Sequence, residues 1–241
     1  MPDPALPAAL AFDVFGTVVD WRTSIARESA GFLAAIGEDA SDAAAFADAW
    51  RGQYIAAMMG MRKSGRAFVP LDVLHREMLE ATLRERGVDP ARLDEALLAD
   101  WNRAWHRLDP WPDAVAGLTR LKARLPIVTL SNGNVALLMA MARRAGLPWD
   151  AILGAEVSRA YKPDPQAYLR TAEMLGVAPG ALCLVAAHHG DLAAARAAGL
   201  LTAFVARPDE YGGAPAPDAH FAQTWEWSAT SLVDLAEQMG C

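Results

Sequence analysis

Cysteine is scarce: Cys183 and Cys241 are the two in 241 residues. They lie far apart, so neither a disulfide framework nor a zinc-ligand spacing is present, and such usage fits a reducing cytoplasm. Positive charge is in deficit, with 22 Lys and Arg against 29 Asp and Glu for a net charge of −7. That balance argues against a nucleic-acid surface and against an anionic-membrane surface. No apolar run approaches the roughly 20 residues a membrane span requires, and residues 1–11 carry no basic leader followed by a long apolar stretch. Internal repeats and low-complexity linkers are also missing. The expectation is a soluble cytoplasmic protein with no nucleic-acid or membrane partner. Apolar material is ample, at 53% of residues, which excludes a disordered chain.

Short apolar runs recur at residues 10–15, 126–130, 151–154, 181–187 and 201–206. Each is strand-sized and ends beside Gly, Asp, Asn or Pro. Helical spacing fills the gaps at 135–145, 165–175 and 192–198, closed by Gly146, Gly176 and Gly199 in turn. A further strand is predicted at 220–225 and a closing helix at 228–238. Strands alternating with helices predict an α/β fold, a Rossmann-like parallel sheet with helices on both faces. From about Trp21 to Leu108 the pattern is helical only, as in Phe46, Trp50, Tyr54 and Met58. This predicts an inserted all-helical cap at 19–109 within a core of 1–18 and 110–241, placed over the carboxyl ends of the strands, where ligands bind in such sheets.

Polar groups follow those strand ends. The first strand runs into Asp13-Val14-Phe15-Gly16-Thr17, and an acid there is costly unless it is paired or used. Alone, it reads equally well as a helix or turn cap. Ser131-Asn132-Gly133 offers a hydroxyl, an amide and backbone N–H groups to an anion, though an ordinary N-cap is the simpler reading. Tyr161-Lys162-Pro163-Asp164 sets Lys162 on a corner stiffened by proline. The run Ala186-Ala187-His188-His189-Gly190-Asp191 places another acid beyond a strand. Any one of these is unremarkable; four converging on one sheet edge are not.

In this order the four segments resemble the motifs of the haloacid dehalogenase superfamily, and within it the chain is most similar to the L-2-haloacid (type II) dehalogenases. Trp50-Arg51-Gly52-Gln53-Tyr54 resembles that family's cap helix with its substrate-side arginine. The resemblance implies Asp13 as nucleophile, Lys162 as the cation keeping it ionised, and Asp191 as the group that positions or deprotonates the hydrolytic water. It also implies substrate or halide contacts from Thr17, Arg51, Ser131, Asn132, Tyr168 and His188. An L-2-haloacid or haloacetate would pass through an aspartyl ester to a 2-hydroxyacid, with inversion and with neither metal nor cofactor. The resemblance further implies a homodimer, for which no stretch of the sequence marks an interface.

Two other readings stay open. Superfamily phosphatases carry a second Asp two positions after the nucleophile, where this chain has Phe15, which transfers no proton. Ala186 and Ala187 stand where their acidic pair usually sits, which disfavours Mg²⁺. The third reading is a catalytically inactive member that binds small acids. The chain also departs from the dehalogenase pattern, with Ala186 and His188 where Ser and Asn are common and Phe15 in place of Tyr. His188 is expected to hydrogen-bond Asp191 or the nucleophile, and His189 to face solvent. Trp21, Phe68, Trp105 and Trp111 are candidate apolar walls, for each of which core packing is the simpler reading.

Overall fold

The computed structural model describes residues 6–64, 67–216 and 224–241. The chain divides into two compact units, one formed by residues through Asp20 and from Asp109 onward, the other by Trp21–Leu108. The junctions fall two residues later and one residue earlier than the sequence pattern suggests. The reason is a short antiparallel ribbon, in which Val19 pairs with Pro110 and Asp20 with Asp109, that ties both crossings to the first unit.

In chain order, β1 (Ala9–Phe12) and β2 (Val19–Asp20) lead into the helical unit, which contains α1 (Trp21–Ala35), α2 (Ala43–Ser64), α3 (Leu71–Glu85) and α4 (Glu95–Asn102). Its interior is aromatic. Trp21, Phe46, Trp50, Trp101 and Trp105 are all buried. The indoles of Trp50 and Trp101 satisfy their N–H groups on the His75 carbonyl at 3.0 Å and the Ser29 hydroxyl at 3.1 Å. His75 stacks on Trp105 at 4.4 Å, and burial pushes its pKa down to about 3, so it is a neutral core residue. Trp21 and Trp105 are thus packing residues of this unit.

The other unit resumes with β3 (Asp109–Pro110), α5 (Ala114–Lys122), β4 (Ile127–Thr129), α6 (Val135–Ala145), the single turn α7 (Ala155–Ser158) and α8 (Pro165–Leu175). It closes with β5 (Leu182–Ala186), α9 (His189–Ala197), β6 (Leu201–Val205), β7 (Trp227–Ala229) and α10 (Leu232–Gln238). Five strands form a parallel sheet in the order β4-β1-β5-β6-β7. The central strands β1 and β5 are buried along their whole length, as a parallel strand covered on both faces must be. Helices start and stop where their chemistry dictates. Asp164 caps α8 by accepting from the Gln166 N–H at 2.9 Å, and Gly146 and Gly176 end α6 and α8 in the left-handed region. No helix among the described residues is long and apolar enough to cross a membrane.

Two expectations are corrected. Residues 151–154 form no strand: Ala151 makes a single bridge to Val128. Beyond it the Thr129 hydroxyl replaces the backbone ladder, accepting from the Leu153 N–H at 2.8 Å and donating to the Leu153 carbonyl at 3.1 Å. The closing helix begins at Leu232, because residues 227–229 are taken up as β7 and Ser231 supplies the cap, accepting from the Asp234 N–H at 3.0 Å. The predicted strand at 220–225 lies largely outside the described residues. Its described end, Trp225, precedes the start of β7.

Candidate active site

Asp13 continues one residue past β1, its N–H donating to the Val185 carbonyl at 3.0 Å, and is 6% exposed. The chain then turns sharply through Gly16, at φ +82°. The turn brings Thr17 back, so that its hydroxyl donates to Asp13 Oδ2 at 2.7 Å while accepting the Ala187 N–H at 2.9 Å. Lys162 Nζ donates to Asp13 Oδ1 at 2.8 Å and also to Asp191 Oδ2. Asp191, in the first turn of α9, accepts on Oδ1 from the Tyr168 hydroxyl of α8 at 2.6 Å. Asp13, Thr17, Lys162, Tyr168 and Asp191 therefore form one connected cluster at the carboxyl ends of the strands, where such sheets place ligands.

Burial alone would raise the Asp13 pKa. The Lys162 charge, with hydrogen bonds and charge from His188, outweighs burial and holds the carboxyl far below the usual carboxylate range. Burial would lower Lys162, and its two carboxylate partners instead raise it above the ordinary lysine value. An ionised carboxylate with a permanent cation against one oxygen is an activated nucleophile held in place.

Ser131 and Asn132 are both buried. The Ser131 hydroxyl accepts the Gly133 N–H at 3.1 Å, while Asn134 occupies the N-cap position of α6. The Asn132 amide clamps the lysine backbone, accepting the Lys162 N–H at 2.7 Å and donating to the Lys162 carbonyl at 3.3 Å. Arg51 belongs to the helical unit. Its guanidinium lies 4.4 Å from the Tyr54 ring centroid and 5.5 Å from that of Trp21. Trp111 donates its indole N–H to the Gly16 carbonyl at 2.8 Å and so braces the turn after Asp13.

His188 is the residue the sequence left between two partners, and the nucleophile is the one it meets. Nδ1 lies 3.1 Å from Asp13 Oδ2, and Nε2 lies 3.0 Å from each oxygen of Glu210. The sequence pattern does not single out Glu210, which lies five residues beyond β6. His189 does not simply face solvent. Its ring stacks on Phe204 at 4.5 Å and accepts the Trp225 indole N–H at 3.0 Å.

Gly16 is fixed by two constraints. Its φ suits only glycine without cost, and a β-carbon there would overlap the Glu210 carboxylate. Gly16→Ala is expected to lose about 2–3 kcal/mol, lowering the melting temperature by roughly 4–10 °C. Catalytic activity in the folded variant should fall with the displaced Glu210. Thermal unfolding and initial rates check both; unchanged melting would show that the turn relaxes freely.

A parallel sheet with a buried, cation-braced aspartate after its first strand defines a hydrolase of the haloacid dehalogenase-like class, and residues 7–199 match that family's model. The (S)-2-haloacid dehalogenase of Xanthobacter autotrophicus is 32% identical over 210 residues, covering 83% of this chain and 75% of its own. The crystal structure of the defluorinating L-2-haloacid dehalogenase Rha0230 is 51% identical, with a TM-score of 0.94 over 98% of this chain and 96% of that one. The Xanthobacter autotrophicus L-2-haloacid dehalogenase with chloropropionic acid covalently bound superposes with a TM-score of 0.80 at 28% identity, covering 98% and 99% of the two chains. The chain belongs to the L-2-haloacid dehalogenase family of the haloacid dehalogenase-like hydrolases.

Proposed function

We propose that this protein hydrolyses short L-2-haloalkanoic acids and haloacetates to 2-hydroxyacids, without a metal, through an ester on Asp13. The observation that carries the reading is the Asp13 carboxylate, buried, ionised and braced by Lys162, with Phe15 where a phosphatase keeps its acid. A halide is a weak base and departs without a proton donor, whereas a phosphate-ester oxygen needs one. Asp13 attacks the carbon bearing the halogen from the side opposite the halide, forming the ester and releasing halide. Water then attacks the ester carbonyl, positioned or deprotonated by Asp191, so the substrate carbon is inverted once.

Arg51 and Asn132 are assigned to the departing halide, and Ser131 with neighbouring backbone N–H groups to the substrate carboxylate. Guanidinium suits its task, being always charged and rich in donors. Residues 19–109 act as the cap, and the protein works as a cytoplasmic homodimer. The changes at Phe15, Ala186 and His188 retune the pocket toward small haloacids; equal turnover of long-chain 2-haloacids and haloacetates would contradict that.

Chloride release from L-2-chloropropionate and chloroacetate in EDTA is the test, with D-2-hydroxyacid as the expected product of the former. In a single turnover in ¹⁸O-water the label should enter Asp13 and not the product. Label in the product would mean direct attack by water on the substrate carbon. Phosphate release from an aryl phosphate only with Mg²⁺, and no halide release, would favour the phosphatase reading.

A further inference from the structure

The carboxyl edge of the sheet holds a second charged pair that the attack on an alkyl halide does not by itself require. Glu210 is 2% exposed and lies with both oxygens 3.0 Å from His188 Nε2. On the other side of the ring, Nδ1 faces Asp13 Oδ2. Both neighbours are carboxylates, which only accept, so both ring nitrogens must donate and the ring is an imidazolium. Burial would lower the His188 pKa, but Glu210 and then Asp13 raise it well above the ordinary value. The other charged groups nearby act at one remove. Lys162 and, through it, Asp191 meet the far oxygen of Asp13, while Arg207 donates to the Thr17 carbonyl at 2.8 Å and to Asp113 at 2.8 Å.

Glu210 matters because the charge on Asp13 does not last. Once Asp13 is an ester it is neutral, and a histidine charged only by Asp13 would then give up its proton. Glu210 is no part of that ester and lies against Nε2 with both oxygens. The two oxygens of Asp13 also differ: among the described residues Oδ1 accepts from Lys162 alone, whereas Oδ2 accepts from both Thr17 and His188. The oxygen with fewer donors is the better nucleophile, and the one with more is the better seat for a developing charge.

Building on the dehalogenase reading, we propose that Oδ1 bonds to the substrate carbon, that Oδ2 becomes the ester carbonyl oxygen, and that His188, kept charged by Glu210, forms with the Thr17 hydroxyl the oxyanion hole for hydrolysis of that ester. Water adds to the carbonyl carbon and the π pair moves onto Oδ2. The intermediate collapses as the C=O bond re-forms and the bond to the product oxygen breaks. One water proton ends on the product hydroxyl, and the other leaves to solvent as Asp13 returns to carboxylate. The donors stand 2.7 and 3.1 Å from Oδ2, the distances such stabilisation needs. His188 is then a catalytic residue, and Glu210 a positioning residue acting through it.

Rapid-quench kinetics on L-2-chloropropionate separates the half-reactions in wild type, Glu210→Gln and His188→Ala, each checked for folding by thermal melting. In the variants the first halide should be released within about tenfold of the wild-type rate, followed by turnover slowed roughly 10²–10³-fold. A burst approaching one equivalent and a substrate-derived ester on the Asp13 peptide are expected. Glu210→Gln should also acquire an alkaline limb toward the ordinary histidine range, about 6.5, because its imidazolium is no longer held. Both half-reactions falling together, with no ester trapped, would show a structural role only and overturn the proposal. So would a wild-type rate that rises as His188 loses its proton, which would make it a general base. Absence of halide from wild type overturns the dehalogenase reading and this proposal with it; absence of ester in the variants alone overturns only this one.

Discussion

Asp13→Asn is expected to lower halide release by roughly 10⁴-fold or more while leaving the protein folded. The carboxamide has nearly the shape of the carboxylate, but its oxygen is neutral and cannot displace a halide to give an ester. Charge bookkeeping predicts that the fold survives. The site holds three carboxylates, Asp13, Asp191 and Glu210, and two cations, Lys162 and the His188 imidazolium. Removing Asp13 leaves each cation with one carboxylate partner, so no buried charge is orphaned, the situation that makes such deletions costly. The variant should therefore fold, yet melt below wild type at neutral pH, because it lacks the stability that the ionised Asp13 contributes there. In acid the two proteins converge. The folded-state pKa of Asp13 is depressed, so the stability it contributes is present above the ordinary carboxylate value of about 4 and is lost as pH falls through that value toward the depressed one. The variant lacks this loss. Chloride release and melting curves from pH 7 to 3 measure both effects, and a variant retaining more than about one part in a hundred of wild-type activity would remove Asp13 from the nucleophile's role.

The alternation of strand-sized apolar runs with glycine-closed helices was legible because parallel strands covered on both faces must be continuously apolar. The ends of α6 and α8, Ala145 and Leu175, coincide with the predicted ones, since Gly146 and Gly176 take the left-handed conformation that stops a helix. Residues 151–154 misled because a side chain took over the pairing: nothing in the local pattern announces that the Thr129 hydroxyl will satisfy the Leu153 backbone. The closing helix starts later than the sequence pattern suggests because Ser228 and Ala229 fit either state, and the sheet edge claims them.

The acids and the lysine showed themselves because polar groups are costly at the ends of buried strands. Glu210 was missed because it lies five residues past β6, in a loop where acids are ordinary. Only the fold shows that it is buried against His188. Likewise the clamp of the Asn132 amide on the Lys162 backbone, across a separation of 30 residues, is a long-range contact that one sequence cannot report.

That clamp points to the residue on which the site most depends after the nucleophile. Lys162 bridges Asp13 and Asp191 from a position 149 residues beyond the first and 29 before the second. Lys162→Met keeps the length and apolar stem but removes the cation, leaving two buried carboxylates facing one another's charge. Ester formation is expected to fall by roughly 10³-fold or more, because burial, the largest influence on Asp13, is then opposed chiefly by His188. The carboxyl pKa rises toward or past the ordinary value, so residual activity should climb with pH across the neutral range. Stability should show the opposite slope. At neutral pH the variant loses about 3–5 kcal/mol, the usual consequence of removing one member of a buried ion pair. An acid whose folded-state pKa is raised binds its proton more tightly in the native than in the unfolded chain, so acidification from pH 8 toward 6 should recover part of that loss. A variant that melts like wild type and keeps a pH-independent rate would mean that Lys162 contributes neither the charge on Asp13 nor its placement. A rate rising with pH in a protein whose stability falls with pH would identify the same proton in both measurements, the one Lys162 keeps off the nucleophile.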